Sequence, residues 1–148
     1  DGNNMANSWI HASKIFNFKL RLACPSLRLP NKNIINWAKE NGAEIEILDD
    51  PIEACSDSNA ILTDTWVSMG DEKIINPEEI FNNFRVSDKL FEVASNDAIF
   101  MHCLPAHRGQ EVTSEIIDGP KSVVWDEAEN RLHIQKAILS WAIADKLI

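Results

Sequence analysis

The chain has 148 residues, 45% hydrophobic and 25% charged, enough to bury one core of ordinary globular size. Its formal net charge of -9, from 14 Lys and Arg against 23 Asp and Glu, leaves no basic field for a nucleic acid or an anionic membrane, and no apolar run approaches the roughly 20 residues of a membrane span. The three cysteines, Cys24, Cys55 and Cys103, have no CxxC spacing, which argues against a disulfide framework or a zinc ribbon and fits a reducing cytoplasm.

In chain order, Asp1, Gly2 and Asn3 supply turn and capping chemistry for a helix over 4–16, where Met5, Trp9, Ala12 and Phe16 recur at helical spacing. A strand over 19–25, a helix over 31–42 stopped by Gly42, and a strand over 44–50 follow. Pro51 opens a short helix over 51–58, which leads into a strand over 60–66. After a polar loop over 67–73 come helical stretches at 77–84 and 87–95, then a fourth strand over 98–103. The remainder reads as a short helix over 113–119 closed by Gly119, a brief strand over 122–125, and a long helix over 127–148. Ile134, Ala137, Ile138 and Trp141 are its expected buried stripe. The alternation predicts an α/β fold, three-layer and doubly wound, with a mostly parallel Rossmann-like sheet and helices on both faces. Because the chain opens at Asp1 directly on helix-capping residues, we expect a fragment whose first strand has been cut away.

Ligands of such sheets bind where strands end, and four polar clusters fall there: 1-DGNN-4, 64-DTWVSMG-70, 102-HCLPAHRG-109 and 126-DEAENR-131. Cys103 follows the apolar run 98-AIFM-101 and reads equally as a small buried hydrophobe or, with Pro105 fixing the backbone, as part of a ligand-presenting loop. His102, Cys103 and His107 match no standard zinc spacing. Asp64 is either a turn cap or a carboxylate that grips an ammonium. Ser68, Met69 and Gly70 suit a segment that closes over a ligand. Arg131, near a helix N-terminus that disfavours cations, either pairs with Glu127 or aims its fork across the strand ends at an anion or carbonyl. Cys24 and Cys55 read as core residues, His11 and His133 as structural or solvent-facing. No GxGxxG, GxxxxGK[ST] or GxSxG occurs, so nucleotide cradles and serine-hydrolase elbows have no support.

Taken together, 1-DGNNMANS-8, 63-TDTWVSMG-70, 101-MHCLPAHRG-109, 111-EVTSEIIDG-119 and 125-WDEAENRLH-133 resemble, in order, the C-terminal ornithine-binding domain of the ornithine carbamoyltransferase family. The resemblance spans essentially all of residues 1–148 and implies one ornithine-binding domain. The family's phosphate-binding Ser-Thr-Arg-Thr and His-Pro-x-Gln motifs belong to an N-terminal carbamoyl phosphate-binding domain that is absent here. It implies that Asn4, Asp64, Ser68 and the Met69 backbone hold ornithine, that Cys103 and Asp64 hold its δ-amino group, and that Cys103, Leu104 and Arg131 meet the carbamoyl group. Leu104-Pro105 is expected to be cis. Cys103, Asp64 and Arg131 are the implied catalytic residues.

The implied reaction transfers the carbamoyl group of carbamoyl phosphate to L-ornithine, giving L-citrulline and phosphate, in arginine biosynthesis. It requires no metal or organic cofactor. The physical logic is coherent: ornithine's δ-amine has a pKa near that of lysine, about 10.4, so its reactive neutral form is scarce at neutral pH. Asp64 alone would favour the ammonium, so a second proton-accepting group, Cys103 as thiolate, is expected to help. Arg131 would stabilise charge growing on the carbonyl oxygen. The family also implies a homotrimer in the cytoplasm, without nucleic-acid or membrane partners. Cys103 together with Ser68-Met69-Gly70 favours ornithine over aspartate or putrescine as acceptor. A catabolic enzyme run toward carbamoyl phosphate and a non-catalytic amino-acid-binding module are the alternatives.

Overall fold

A computed structural model describes residues 1–67 and 76–144. The first helix, α1 (Asn4–Phe16), starts where the sequence places it, because the Asn3 side chain accepts from the N–H groups of Met5 and Ala6. It stops at Asn17, which adopts the left-handed conformation (φ 54°). Strand β1 (Leu20–Ala23), helix α2 (Lys32–Glu40) and strand β2 (Ile45–Leu48) follow, then α3 (Pro51–Cys55) and β3 (Ala60–Thr63). Asn31 and Asp50 cap α2 and α3 through side-chain oxygens at 2.9 and 2.8 Å.

Helices α4 (Pro77–Phe81) and α5 (Asp88–Val93), separated by a 3₁₀ turn over Asn82–Phe84, lead to β4 (Ile99–His102), α6 (Ser114–Ile117) and α7 (Val124–Ile143). Every strand pairing is parallel, and helices connect the strands, so the fold is α/β of the Rossmann-like kind. β1 pairs with β2 from Leu20↔Ile45 to Ala23↔Leu48, and β3 with β4 from Ala60↔Ile99 to Thr63↔His102. Beneath the second pair, Ile61, Phe100, Val112, Ile117 and Val124 form the buried cluster.

Three expectations need correction. The four strands form two separate two-stranded ladders, not one continuous sheet: no backbone ladder joins β1 to β3 among the described residues. The strand expected over 122–125 is a single bridge, Phe100↔Ser122, because Phe100 N–H donates to Lys121 and Val123 N–H to Phe100 before the chain turns into α7. That helix therefore begins at Val124, three residues early. Its supposed buried stripe is open to solvent, with Ile134, Ile138 and Trp141 at 58%, 55% and 65% exposure and Ala137 exposed too. Only the first turn of α7, at Val124, is buried against the domain, and no other described element lies over the rest. No helix among the described residues is long and apolar enough to cross a membrane.

Candidate functional site

The parallel register decides where the chemistry gathers. Thr63 and His102 are partners at the carboxyl ends of β3 and β4, so the next residue on each chain, Asp64 and Cys103, leaves the sheet side by side. The Cys103 thiol donates to Asp64 Oδ1 at 3.3 Å. The same carboxylate accepts from the Thr65 N–H at 2.7 Å and, through Oδ2, from Asn3 Nδ2 at 3.0 Å. Asn3 thus caps α1 with its oxygen and orients Asp64 with its nitrogen. The sequence points to Asn4, but Asn4 is exposed on the first turn, and Asn3 is the residue tied to the site. Its N-cap position was the only signal for it.

Burial pushes the Cys103 thiol up to about 12, with the Asp64 hydrogen bond and the charges of Asp64 and Glu127 acting the same way. Cys103 is therefore a neutral S–H donor in this arrangement. That runs against the expected thiolate: a thiol beside a carboxylate and out of bulk water loses its proton less readily, not more. The Cys24 thiol is buried, as expected of a core residue, and burial also pushes Cys55 up, to about 11.

The loop after Cys103 is held by buried polar groups. Leu104 has φ 54°, in the left-handed region, and the Leu104–Pro105 peptide is cis, as expected. The Leu104 N–H donates to His102 Nδ1 at 2.9 Å, so this nitrogen carries no proton and the neutral ring holds its hydrogen on Nε2. Nε2 lies 3.3 Å from Glu111 Oε1, off the line of a well-formed hydrogen bond. Glu111, also fully buried, accepts the His107 N–H, and Arg108 forks onto Asp118 at 2.6 and 2.8 Å. Burial works to raise the Glu111 carboxyl, but the close His102 ring and the hydrogen bond from the His107 backbone outweigh it and hold the pKa below the usual carboxylate range.

His102 is thus a buried loop-positioning residue, while His107 is exposed and contributes its backbone. The His102 N–H donates to Glu127 Oε2 at 2.9 Å, which ties the first turn of α7 to the end of β4. Neither Glu111 nor Glu127 was singled out for this role, since nothing in a linear pattern marks a buried carboxylate.

Because Glu127 faces β4, it does not pair with Arg131. Arg131 lies four residues on, on the same helix face one turn farther along, exposed and without an ion pair among the described residues. It makes no hydrogen bond or ion pair with Asp64 or Cys103 among the described residues. The carbonyl oxygens of Cys103 and Leu104 accept no hydrogen bond among the described residues. Ser68, Met69 and Gly70 lie outside the described residues. Among the described residues no three His, Cys, Asp or Glu side chains come together as a metal site, and Cys103 pairs with Asp64 alone.

Residues 1–142 match the family profile "Aspartate/ornithine carbamoyltransferase, Asp/Orn binding domain". An ornithine carbamoyltransferase of Rhodopseudomonas palustris (strain BisA53) is 52% identical over 141 residues, 95% of this chain and 45% of that protein. Another, of Brucella abortus (strain 2308), is 50% identical over 146 residues, 99% of this chain and 47% of that protein. Among solved structures, ornithine carbamoyltransferase from Pyrococcus furiosus superposes with a TM-score of 0.87 at 46% identity, over 95% of this chain and 46% of that one. Anabolic ornithine carbamoyltransferase from Campylobacter jejuni gives 0.89 at 39% identity, over 95% and 48%. The chain spans just under half the length of the curated relatives it matches.

Proposed function

Since the chain belongs to the aspartate/ornithine carbamoyltransferase family through its Asp/Orn-binding domain, we propose that residues 1–148 are the ornithine-binding half of an ornithine carbamoyltransferase. In the complete protein a separate N-terminal domain grips the phosphate of carbamoyl phosphate, and the carbamoyl group passes to the δ-amine of L-ornithine, giving L-citrulline and phosphate. The observation that carries this reading is the Asp64 carboxylate, held by Asn3 and Thr65 and facing the Cys103 thiol at 3.3 Å.

An ammonium carries three donors, and Asp64 Oδ1 is the acceptor that the thiol now occupies. The incoming ammonium takes the thiol's place on the carboxylate, and its positive charge within about 4–6 Å lowers the thiol pKa; Cys103 then releases its own proton to solvent and, as thiolate, accepts one from the δ-ammonium, leaving the neutral amine to attack. The carbamoyl NH₂ is a double donor and suits the open carbonyls of Cys103 and Leu104. Arg131, on the α7 face turned to β4, takes the carbonyl oxygen as negative charge develops there. Asn4, Ser68 and the Met69 backbone complete the grip on the amino acid. Proximity of the two reactants supplies roughly 7–11 kcal/mol when their geometry is good.

We assign the biosynthetic direction, in keeping with the anabolic enzyme of C. jejuni at 39% identity, and a cytoplasmic homotrimer as the working state. The test is complementation: the complete protein should restore growth without arginine to a strain lacking ornithine carbamoyltransferase and should form citrulline in vitro. Ornithine binding by calorimetry without citrulline formation in the completed protein would replace this reading with a non-catalytic amino-acid-binding module.

A further inference from the structure

Beyond the last rung of the β3–β4 ladder, Thr63↔His102, no backbone hydrogen bond joins residues 64–67 to residues 103–112 among the described residues. The two segments that carry Asp64 and Cys103 are held at their working distance by side chains, and Arg85 reaches both.

The Arg85 Nε donates to the Gln110 carbonyl oxygen at 2.6 Å, inside the loop that begins at Cys103. Its guanidinium lies over the Trp66 ring, 5.5 Å from the centroid and two residues beyond Asp64. The backbone next to it is fixed to the same loop, because the Val86 N–H donates to Glu111 O at 2.9 Å and the Thr113 N–H to Val86 O at 3.0 Å. The chain has 23 acidic residues, yet among the described residues Arg85 meets a carbonyl and a ring rather than a carboxylate. A planar, weakly hydrated guanidinium suits these partners, since its flat face covers an indole while its edge keeps a donor for the carbonyl.

Trp66 passes this hold to the site. Its indole is buried and stacks on the buried Phe81 ring, with centroids 6.1 Å apart and 25° between the planes. Between Trp66 and Asp64 stands Thr65, whose N–H donates to Asp64 Oδ1, the oxygen that also accepts from the Cys103 thiol. A shift of the Trp66 backbone therefore moves a donor on that oxygen. Farther along, Arg28 lies over the Phe81 ring at 5.9 Å and pairs with Asp1 at 2.7 Å, close to Asn3, the donor to Asp64 Oδ2. Gln110, Arg85, Trp66, Phe81 and Arg28 thus form a continuous column that starts on the Cys103 loop and ends beside the second donor to Asp64.

We propose that Arg85 is a positioning residue of the ornithine site: by bridging Trp66 and the Gln110 carbonyl, it fixes the Asp64 carboxylate against the Cys103 thiol and so aims the δ-amine of the bound amino acid. It acts through these two contacts and not on the reacting atoms. The inference rests on the assignment of the Asp64–Cys103 pair to the amine of ornithine.

The test is made in the complete protein with Arg85→Met, which keeps much of the length and the apolar stem of the side chain but loses the donor and the charge. In steady-state citrulline assays kcat should fall about tenfold, KM for ornithine should change less than kcat, and KM for carbamoyl phosphate should stay within about twofold. Iodoacetamide labelling at pH 8 should show the Cys103-to-Cys55 rate ratio raised at least about threefold, because a loosened Asp64 contact removes one of the influences that keep the thiol protonated. The sign separates geometry from charge: a cation acting only through its field would favour the thiolate, and its loss would slow labelling. Arg85→Lys keeps a cation over the indole and should lose no more than about threefold in kcat. Buried Cys24 must stay unlabelled. Should it react in Arg85→Met, Arg85→Gln takes its place, since the amide keeps a donor and loses the charge over the indole, and the same rise in ratio is required. Unchanged or slower labelling of Cys103 overturns the proposal. So does a loss of kcat that Arg85→Lys shares in full, or one accompanied by an equal rise in both KM values. An unaltered complete protein that forms no citrulline would overturn the proposed function instead, and the labelling ratio, which needs no turnover, would still decide whether Arg85 holds the pair.

Discussion

Replacing Asp64 with Asn should make Cys103 more reactive, although Cys103 itself is untouched. With the thiol pushed up to about 12, the thiolate fraction at pH 8 is about one in ten thousand. The Asp64 hydrogen bond and charge supply part of that elevation, second only to burial. A neighbouring charge is worth roughly 1–3 pKa units, so its removal should raise the thiolate fraction about 10- to 1,000-fold. Nucleophilicity falls as the pKa falls, with a Brønsted slope of about 0.5, which takes back half of the gain on a logarithmic scale. The expected acceleration is therefore between about 3-fold and about 30-fold.

The assay is iodoacetamide labelling at pH 8 with each cysteine quantified by peptide mass spectrometry. Cys55 is the internal reference: burial also pushes its thiol up, but its charged neighbour is Arg21. Buried Cys24 must stay unlabelled, to show that the fold has survived. An unchanged or lower Cys103-to-Cys55 rate ratio in Asp64→Asn would refute the argument. A profile for the unaltered protein that levels off below pH 9 would do so equally, because it would place the thiol near its solution value.

Two further outcomes bear on the scaffold. Glu111→Gln keeps an acceptor for the His107 N–H but loses the charge, and should cost about 2 kcal/mol in urea unfolding at pH 7. Because the folded carboxyl titrates below its unfolded counterpart, the stability it contributes is present above the unfolded pKa of about 4.3 and is lost as pH falls through the folded value. The variant should therefore show a flatter acid limb, and equal steepness in both proteins would contradict the assignment. Gly2→Ala would place a Cβ 2.1 Å from Pro30 N and 2.2 Å from Leu29 C, both backbone atoms, so the segment leading into α1 or the 29–30 backbone must move. A loss of about 1–3 kcal/mol is expected, read as a melting temperature lower by several degrees; an unchanged melting temperature would show that the junction is not packed as described.

Elements set by local chemistry were the readable ones. Asn3, Asn31 and Asp50 are caps within a residue or two of where the pattern places helix starts, and Pro51 and Gly42 mark boundaries as their backbone preferences require. Asp64 and Cys103 were legible as strand-end residues, but their meeting depends on the Thr63↔His102 register, which no single strand encodes. The stripe on α7 misled for a complementary reason: period 3.6 reports that a face is apolar, not that anything lies on it. Similarly, Ser122 and Val123 have strand-like side chains yet form one bridge, since buried Val124 already belongs to the helix. Glu111 escaped notice because a buried carboxylate can be recognised only by the His102 ring and His107 N–H that surround it. The bond from Asn3 to Asp64 escaped the sequence because a cap side chain's second partner depends on the fold around it.

Helix α7, with 20 residues, is about 30 Å long and, among the described residues, is fastened at one end only, by buried Val124 and by the bond from His102 to Glu127. Mechanically it is a lever, with its fulcrum at the end of β4 and its long arm clothed in Leu132, Ile134, Ile138 and Trp141. Arg131 rides close to the fulcrum, seven residues or about 10 Å from Val124, so a tilt of about 10° displaces its backbone by nearly 2 Å. Whatever surface covers the distal arm therefore also sets where the Arg131 guanidinium lies relative to the end of β4.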